Sequence, residues 1–380
     1  MLEELRIVEI GQVLSAPYAG MILADLGAEV IKVEKPNTGD DARNMGPAFR
    51  QGASMTFHDV NRGKRSVVID LKNPAGISQL LSLLERTDVL IHNLRPGEVA
   101  KLGIDATTLG QRYPRLIYCE ISAFGHKGPR SLQPGYEPLL QAFGGLMSMN
   151  GHAEDAPSRM GASVVDQGAA MWAVIGILAA LNRRQTTGFG SVVNTSLLET
   201  AIGWAASRAQ EYLNQGRTSE RYGTAHPNLV PYQAFDVADG QVMICAGNDR
   251  LFAKLAHALE QPHWVVDERF ARNRDRLRNR ELLVQLIQDL VRWRSRGDLI
   301  EQLERAGVPV AAVNTIAEMV AEPQVTALDI IRPVADEGFV LAGLPISFDG
   351  IRPVVSRTAP SLGDANDQYI GLQSCAEKMT

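Results

Sequence analysis

Cysteine is scarce in this chain. Cys119, Cys245 and Cys375 are the three among 380 residues, too few and too scattered for a disulfide framework or a CxxC metal site. They read as free thiols of a reducing compartment. A charge excess is missing too. Lys and Arg total 38 against 43 Asp and Glu, a net charge of −5, so the global basic excess of a nucleic-acid binder is absent. Hydrophobic runs are short. Gln167–Asn182, set between Asp166 and Arg183, falls below the roughly 20 residues that span a bilayer and reads as a buried helix. The opening MLEELRIVEI has no basic start followed by an apolar core, so it is no secretory signal. GxGxxG, GxxxxGK[ST], HExxH and GxSxG are all missing, and the seven His lie apart. A dinucleotide fingerprint, a P-loop, a zinc site and a serine hydrolase are thereby disfavoured. The expectation is a cytoplasmic protein with no metal, nicotinamide or flavin and with no nucleic-acid or membrane partner.

What is present is an ordinary folded composition, 45% apolar and 21% charged, in a length that fits about two or three domains. Short apolar runs alternate with helical patterns through the first 200 residues. Arg6–Ile10, Glu29–Glu34, Arg65–Leu71, Val89–His92 and Arg115–Ile121 read as strands. Pro17–Leu26, with Ser15 as a possible cap, and Gly76–Arg86 read as helices. Such alternation implies βαβ units and a mainly parallel sheet. Tyr136–Met149, Gln167–Arg184 and Leu197–Asn214 read as further helices. Gly216–Pro231 is rich in Gly, Arg, Thr and Pro. Two β runs, Tyr232–Val237 and Gln241–Ala246, then meet at an Ala-Asp-Gly turn, with helices at Asp249–Leu259, Arg280–Arg292 and Gly297–Arg305. The division expected is a large domain at 1–200, completed by 322–380, a linker at 201–231 and a small domain at 232–321.

Three basic stretches lie where strands should end. Lys32 to Lys35 with Arg43 is one, Arg62-Gly63-Lys64-Arg65 another, and His92-Asn93-Leu94-Arg95-Pro96-Gly97 the third. Ligands of open α/β sheets bind at that end, and Arg and Lys suit a phosphate; each stretch is equally readable as a solvated turn. Asp166 stands alone as a charge between Arg159 and Arg183, at the mouth of an apolar helix. It is either a helix N-cap or a functional carboxylate, since an unpaired buried charge is costly.

GQVLSAPYAGMILADLGAEVIKVEKPNTGDDAR, NRGKRSVVIDLK, HNLRPG, LIYCEISAFGHKGP, PGYEPLLQAFGGLM, VVDQGAAMWAVIGILAAL, AHPNLVPYQAF and APSLG follow in order along the chain. Together they resemble the class III CoA-transferases, the CaiB/BaiF family, over essentially the whole length. The resemblance implies an α/β fold: a Rossmann-like large domain with a mainly parallel sheet, a smaller α+β domain, and an interlocked homodimer. It implies that CoA moves from an acyl-CoA donor to a free carboxylic acid through anhydride and aspartyl-CoA thioester intermediates, with Asp166 as the nucleophile. Coenzyme A would lie against Leu14, Ser15 and Lys35, with Ile69, Asp70, Leu71 and Lys72 at the adenine. Asn93, Leu94, Arg95 and the phosphate ligand Lys101 would follow. Pro134, Gly135, Tyr136 and Glu137 would flank the pantetheine arm. The chain departs from the family pattern in two places. Gly216–Pro231 holds only Gly216 and Gly223, not the glycine run of the formyl-CoA/oxalate members. Tyr136 stands where the racemase members carry His. A 2-methylacyl-CoA racemase and a CoA-thioester-binding protein without turnover are the alternatives.

Overall fold

The computed structural model describes residues 1–334 and 338–370; Cys375 lies outside them. The chain divides into two compact units. Of the described residues, one comprises 1–146, 159–218, 326–334 and 338–370, the other 147–158 and 219–325.

The first unit is built on six strands: β1 (Arg6–Ile10), β2 (Glu29–Glu34), β3 (Arg65–Val68), β4 (Val89–His92), β5 (Ile117–Ser122) and β6 (Val192–Ser196). Their order is β3-β2-β1-β4-β5-β6, and every neighbouring pair is parallel. Val8 lies beside Ile31 on one side and Leu90 on the other, so one face of the central strand is apolar, while Glu9 on the opposite face is buried against Lys32 and Lys64. Helices flank the sheet, as parallel strands require: α1 (Ser15–Asp25), α2 (Met55–Asn61), α3 (Pro74–Leu84), α4 (Glu98–Lys101), α5 (Ala106–Arg112), α6 (Glu137–Phe143), α7 (Val164–Thr187) and α8 (Leu197–Gln215), with α2 packed on α1 and α6 on α7 and α8. The order doubles back between β1 and β4. That switch point opens a crevice at the carboxyl ends of the strands.

Several expectations need correction. β3 stops at Val68 rather than Leu71, because the chain turns there to start α3. The turn is tight enough that a Cβ on Gly76 would lie 2.1 Å from the Asp70 carbonyl oxygen. Ser15 is not a cap: Leu14 holds the N-cap position of α1 without a side-chain bond, and Ser15 is the first helical residue. The stretch 201–231 is not a linker throughout. Ser196 caps α8 by accepting the Glu199 N–H, and the helix runs to Gly216, which closes it at φ 67°. β6, VVNTS, is a strand with no expectation behind it, since half of it is polar.

α7 has 24 residues and a mean hydropathy of 1.7 over its most apolar window. By length and composition it is the one helix among the described residues able to cross a membrane. It packs on β5, β6, α1 and α8, and Val165, Ala169, Ala173 and Ile177 are buried. Packing inside the unit covers this face of the helix and leaves another apolar face open.

Residues 361–370 return to the β3 edge of the sheet. Ser66 N–H donates to Asp364 at 2.7 Å, Val68 N–H to Asn366 at 2.8 Å, and Ala365 N–H to the Ser66 carbonyl at 3.0 Å.

The second unit carries a three-stranded antiparallel sheet of β7 (Tyr232–Val237), β8 (Gly240–Cys245) and β9 (Val310–Ala312), with β8 central. Helices α9 (Asp249–Ala258), α10 (Asn273–Arg278), α11 (Arg280–Val291) and α12 (Arg296–Arg305) pack on it around Phe235, Ile244, Phe252, Leu255, Ile287 and Leu299.

Candidate active site

The crevice is assembled by the loop after β1 and the residue after β4. Asn93 bridges them: its Oδ1 accepts the Gln12 N–H at 2.9 Å, and its Nδ2 donates to the Gln12 carbonyl at 2.9 Å and to Ser15 Oγ at 3.1 Å. Leu14, Ser15 and Asn93 therefore meet at the switch point. Leu94 is half-buried against the core, and Arg95 is exposed. Lys101 is exposed at the end of α4.

Lys35, just past β2, is exposed and pairs with Asp41 at 2.5 Å. Past β3, Asp70 and Lys72 are exposed and Leu71 is half-buried, with the Lys72 N–H donating to Asp70 Oδ1 at 3.1 Å. Ile69 belongs to the sheet core at 2% exposure, its N–H donating to the Glu34 carbonyl at 3.0 Å, so its side chain is not open to a ligand. These positions share the carboxyl edge of one sheet.

Most of the cations that looked free in the sequence are bound internally. Lys32 is fully buried between Glu9 and Asp40, at 2.8 Å from each. Lys64 is equally buried, 2.6 Å from Glu9. Arg43 forks onto Glu34 with bonds of 2.7 and 2.8 Å, and Arg62 pairs with Asp25 and Asp59. Burial pushes the Lys32 ammonium down, but Glu9 and Asp40 outweigh it and the group is held above the ordinary lysine value. Burial wins at Lys64, offset in part by Glu9, and its ammonium falls to about 8. Of the first two basic stretches, Lys35 and Arg65 remain exposed.

Asp166 is not the N-cap of α7. Ser163 holds that place, and Asp166 sits in the first turn, where the helix dipole favours a carboxylate. Its environment opposes that. Neighbouring atoms strip its hydration, and the negative Glu137 adds repulsion, so its carboxyl is raised from 3.8 to about 7. The side chain still keeps one face to solvent.

Glu137 opens α6 and is buried. Its Oε1 accepts from Gln141 Nε2 at 2.6 Å and, at 3.5 Å, from the Val165 N–H, while its Oε2 is buried and has no hydrogen-bond partner among the described residues. Gln141, fully buried one turn on, accepts the Met160 N–H at 2.9 Å and so ties α6 to the approach into α7. Behind Asp166, a Cβ on Gly168 would sit 2.7 Å from Thr200 and 2.8 Å from Trp204; glycine is what lets α7 and α8 close there. Tyr136, the N-cap of α6, is 69% exposed, and Pro134 is exposed beside the half-buried Gly135.

The structure thus brings Glu137 to Asp166, and Leu14 and Ser15 to Asn93. Gln12, Gln141 and Trp204 were missed by the sequence analysis. Gln141 alone carried a signal, its i+4 spacing from Glu137 on a helix.

The family described as CoA-transferase family III matches residues 2–366. The chain is 36% identical to the succinate–glutarate CoA-transferase of Agrobacterium fabrum, over 99% of this chain and 96% of that one. It is 35% identical to the succinyl-CoA:mesaconate CoA-transferase of Haloarcula hispanica, over 96% and 94%. The crystal structure of a CAIB/BAIF family protein from Brucella suis superposes with a TM-score of 0.86 at 36% identity, covering 98% of each chain.

Proposed function

Because the chain belongs to CoA-transferase family III, we propose that it moves CoA between dicarboxylic acids through covalent intermediates on Asp166. Succinate, glutarate and mesaconate, named for its relatives, set the substrate class. The observation that carries the reading is the half-buried Asp166 facing Glu137. A carboxylate raised to about 7 is half ionised near neutral pH and more nucleophilic than an ordinary one.

Asp166 attacks the thioester carbonyl carbon. The C–S bond breaks, CoA leaves as thiolate, and an acyl-aspartyl anhydride remains. The thiolate attacks the Asp166 carbonyl carbon and expels the donor acid as carboxylate, leaving an aspartyl-CoA thioester. An acceptor carboxylate repeats the two steps in reverse order, which returns Asp166 as carboxylate and releases the new CoA ester. No net proton or electron is exchanged. The CoA would lie along the carboxyl edge of the sheet, from Asp70–Lys72 and Lys35 through Leu14, Ser15, Asn93–Arg95 and Lys101, with the pantetheine arm beside Pro134–Glu137.

The reading includes a homodimer. It is supported by an apolar row on α7, where Met171, Trp172, Ile175 and Leu178 remain 37–53% exposed at the spacing of one helix face. A reducing, cytoplasmic setting is supported by Cys119 and Cys245, both free thiols.

The test supplies succinyl-CoA and glutarate and follows both CoA esters, with hydroxylamine added during turnover. A hydroxamate on Asp166, and loss of transfer in Asp166→Ala, are expected. A mark on another carboxylate would relocate the nucleophile. Exchange of the α-proton of a 2-methylacyl-CoA without any acceptor would put the racemase first.

A further inference from the structure

Val13 has φ 68°, in the left-handed region that a β-branched residue enters only when its surroundings impose it. Its N–H donates to Asp40 Oδ1 at 2.9 Å. Asp40 is 2% exposed, and its other oxygen meets Lys32 Nζ at 2.8 Å. The same Nζ donates to the Gly11 carbonyl at 2.9 Å and pairs with Glu9. Glu9 in turn holds Lys64, which donates to the Pro17 carbonyl at 2.8 Å. The backbone from Gly11 to Pro17 is therefore fastened from below at three points by one buried charge network, while Asn93 fastens Gln12 from the crevice side. This loop carries Leu14 and Ser15. Helix capping alone does not explain Asp40: the same Oδ1 also accepts the Ala42 N–H, a bond that needs neither burial nor Val13.

We propose that Asp40 is a positioning residue for the CoA ester: it holds Val13 left-handed and thereby sets the path of Leu14 and Ser15 into the crevice. The inference rests on the reading of that crevice as the CoA site. Without the Asp40 acceptor, Val13 relaxes to negative φ and carries the next two residues with it. Glycine occupies φ of either sign without penalty, so Val13→Gly should restore access to the native path when Asp40 no longer enforces it.

Four variants test this: Asp40→Ala, Asp40→Asn, Asp40→Glu, and Asp40→Glu with Val13→Gly. Asn keeps an oxygen for the Val13 N–H. Glu keeps the charge for Lys32, so that the fold survives if Ala does not, but displaces the carboxylate by one methylene. Two readouts are taken on each folded protein: hydrogen exchange of the Val13 amide, and KM and kcat for succinyl-CoA. Wild type and Asp40→Asn should keep the amide protected and KM within about twofold. Asp40→Ala and Asp40→Glu should exchange faster and raise KM on the order of tenfold, the scale of one interaction to a charged group, with the larger effect on KM than on kcat. The double variant should recover part of that KM. Fast exchange with unchanged KM, or a double variant no better than Asp40→Glu, overturns the assignment. A wild type that binds no CoA ester while its Val13 amide stays protected refutes the crevice reading instead, and the positioning role with it.

Discussion

Replacing Asp166 by Asn should stabilise the protein while abolishing transfer. The carboxyl titrates at 3.8 in an unfolded chain and at about 7 in the folded one. The native state therefore binds this proton more tightly than the unfolded state. Stability carries no penalty below about pH 4, loses ground as pH rises through the interval, and bears the full cost above about 7. A shift of about 3 units at 1.36 kcal/mol each gives an upper limit of about 4 kcal/mol, reduced because one face of the side chain meets solvent. Asn is nearly isosteric and carries no charge, so it escapes the penalty. Urea unfolding at one fixed protein concentration should show Asp166→Asn more stable than wild type at pH 8, by about 1–3 kcal/mol, with the advantage shrinking steadily toward pH 4. An advantage that is absent at pH 8, or that stays constant with pH, would refute the view that this carboxylate is held in a destabilising environment. The same titration predicts the rate: transfer should fall on the acid side with a midpoint near 7, because only the ionised form attacks.

Glu137→Gln should move that acid limb to lower pH, since one like charge beside Asp166 is removed; the shift will be smaller than the whole displacement because burial is the larger cause. A pH–rate profile decides it, and an unmoved limb would refute repulsion from Glu137 as a cause of the raised Asp166 carboxyl. Lys64→Ala should destabilise the protein by about 3–5 kcal/mol, measured by urea unfolding, because Glu9, Asn61 and the Pro17 carbonyl all lose a donor within 2.8 Å. Lys101→Ala should weaken CoA binding by less than about 1 kcal/mol, since the side chain is exposed, and the loss should fade in high salt; calorimetry at two salt concentrations checks both.

The strands were legible where burial brings two or three Val, Ile or Leu together, even with a buried charge such as Glu9 or Lys32 beside them. Arg6–Ile10, Glu29–Glu34 and Val89–His92 run as their composition implies. Val192–Ser196 was not legible, because an edge strand with one open face tolerates Asn and Thr. Asp166 stood out as a lone charge in an apolar helix, but its partner did not: Glu137 is 29 residues away and reaches it only through the packing of α6 against α7. The basic stretches misled for a related reason. A sequence shows that Lys32, Arg43, Arg62 and Lys64 are cations, and not that Glu9, Asp40, Glu34 and Asp25 wait beneath them. Tyr136 gave its place in the chain and nothing of its exposure, which depends on how the preceding loop leaves β5.

The β3 edge has a consequence for synthesis on the ribosome. β3 emerges early, pairs on one side with β2, and presents its other side as unpaired N–H and C=O groups, the kind of open edge that recruits strands from other chains. Its cover is made 298 residues later, when Asp364 and Asn366 reach Ser66 and Val68. At about 5–20 residues per second, the nascent chain keeps that edge open for some 15–60 seconds. The protein should therefore lean on chaperones during translation more than after it. A stop codon just before Asp364 should yield a polypeptide that aggregates, although it would hold all six strands, Asp166 and every candidate CoA contact.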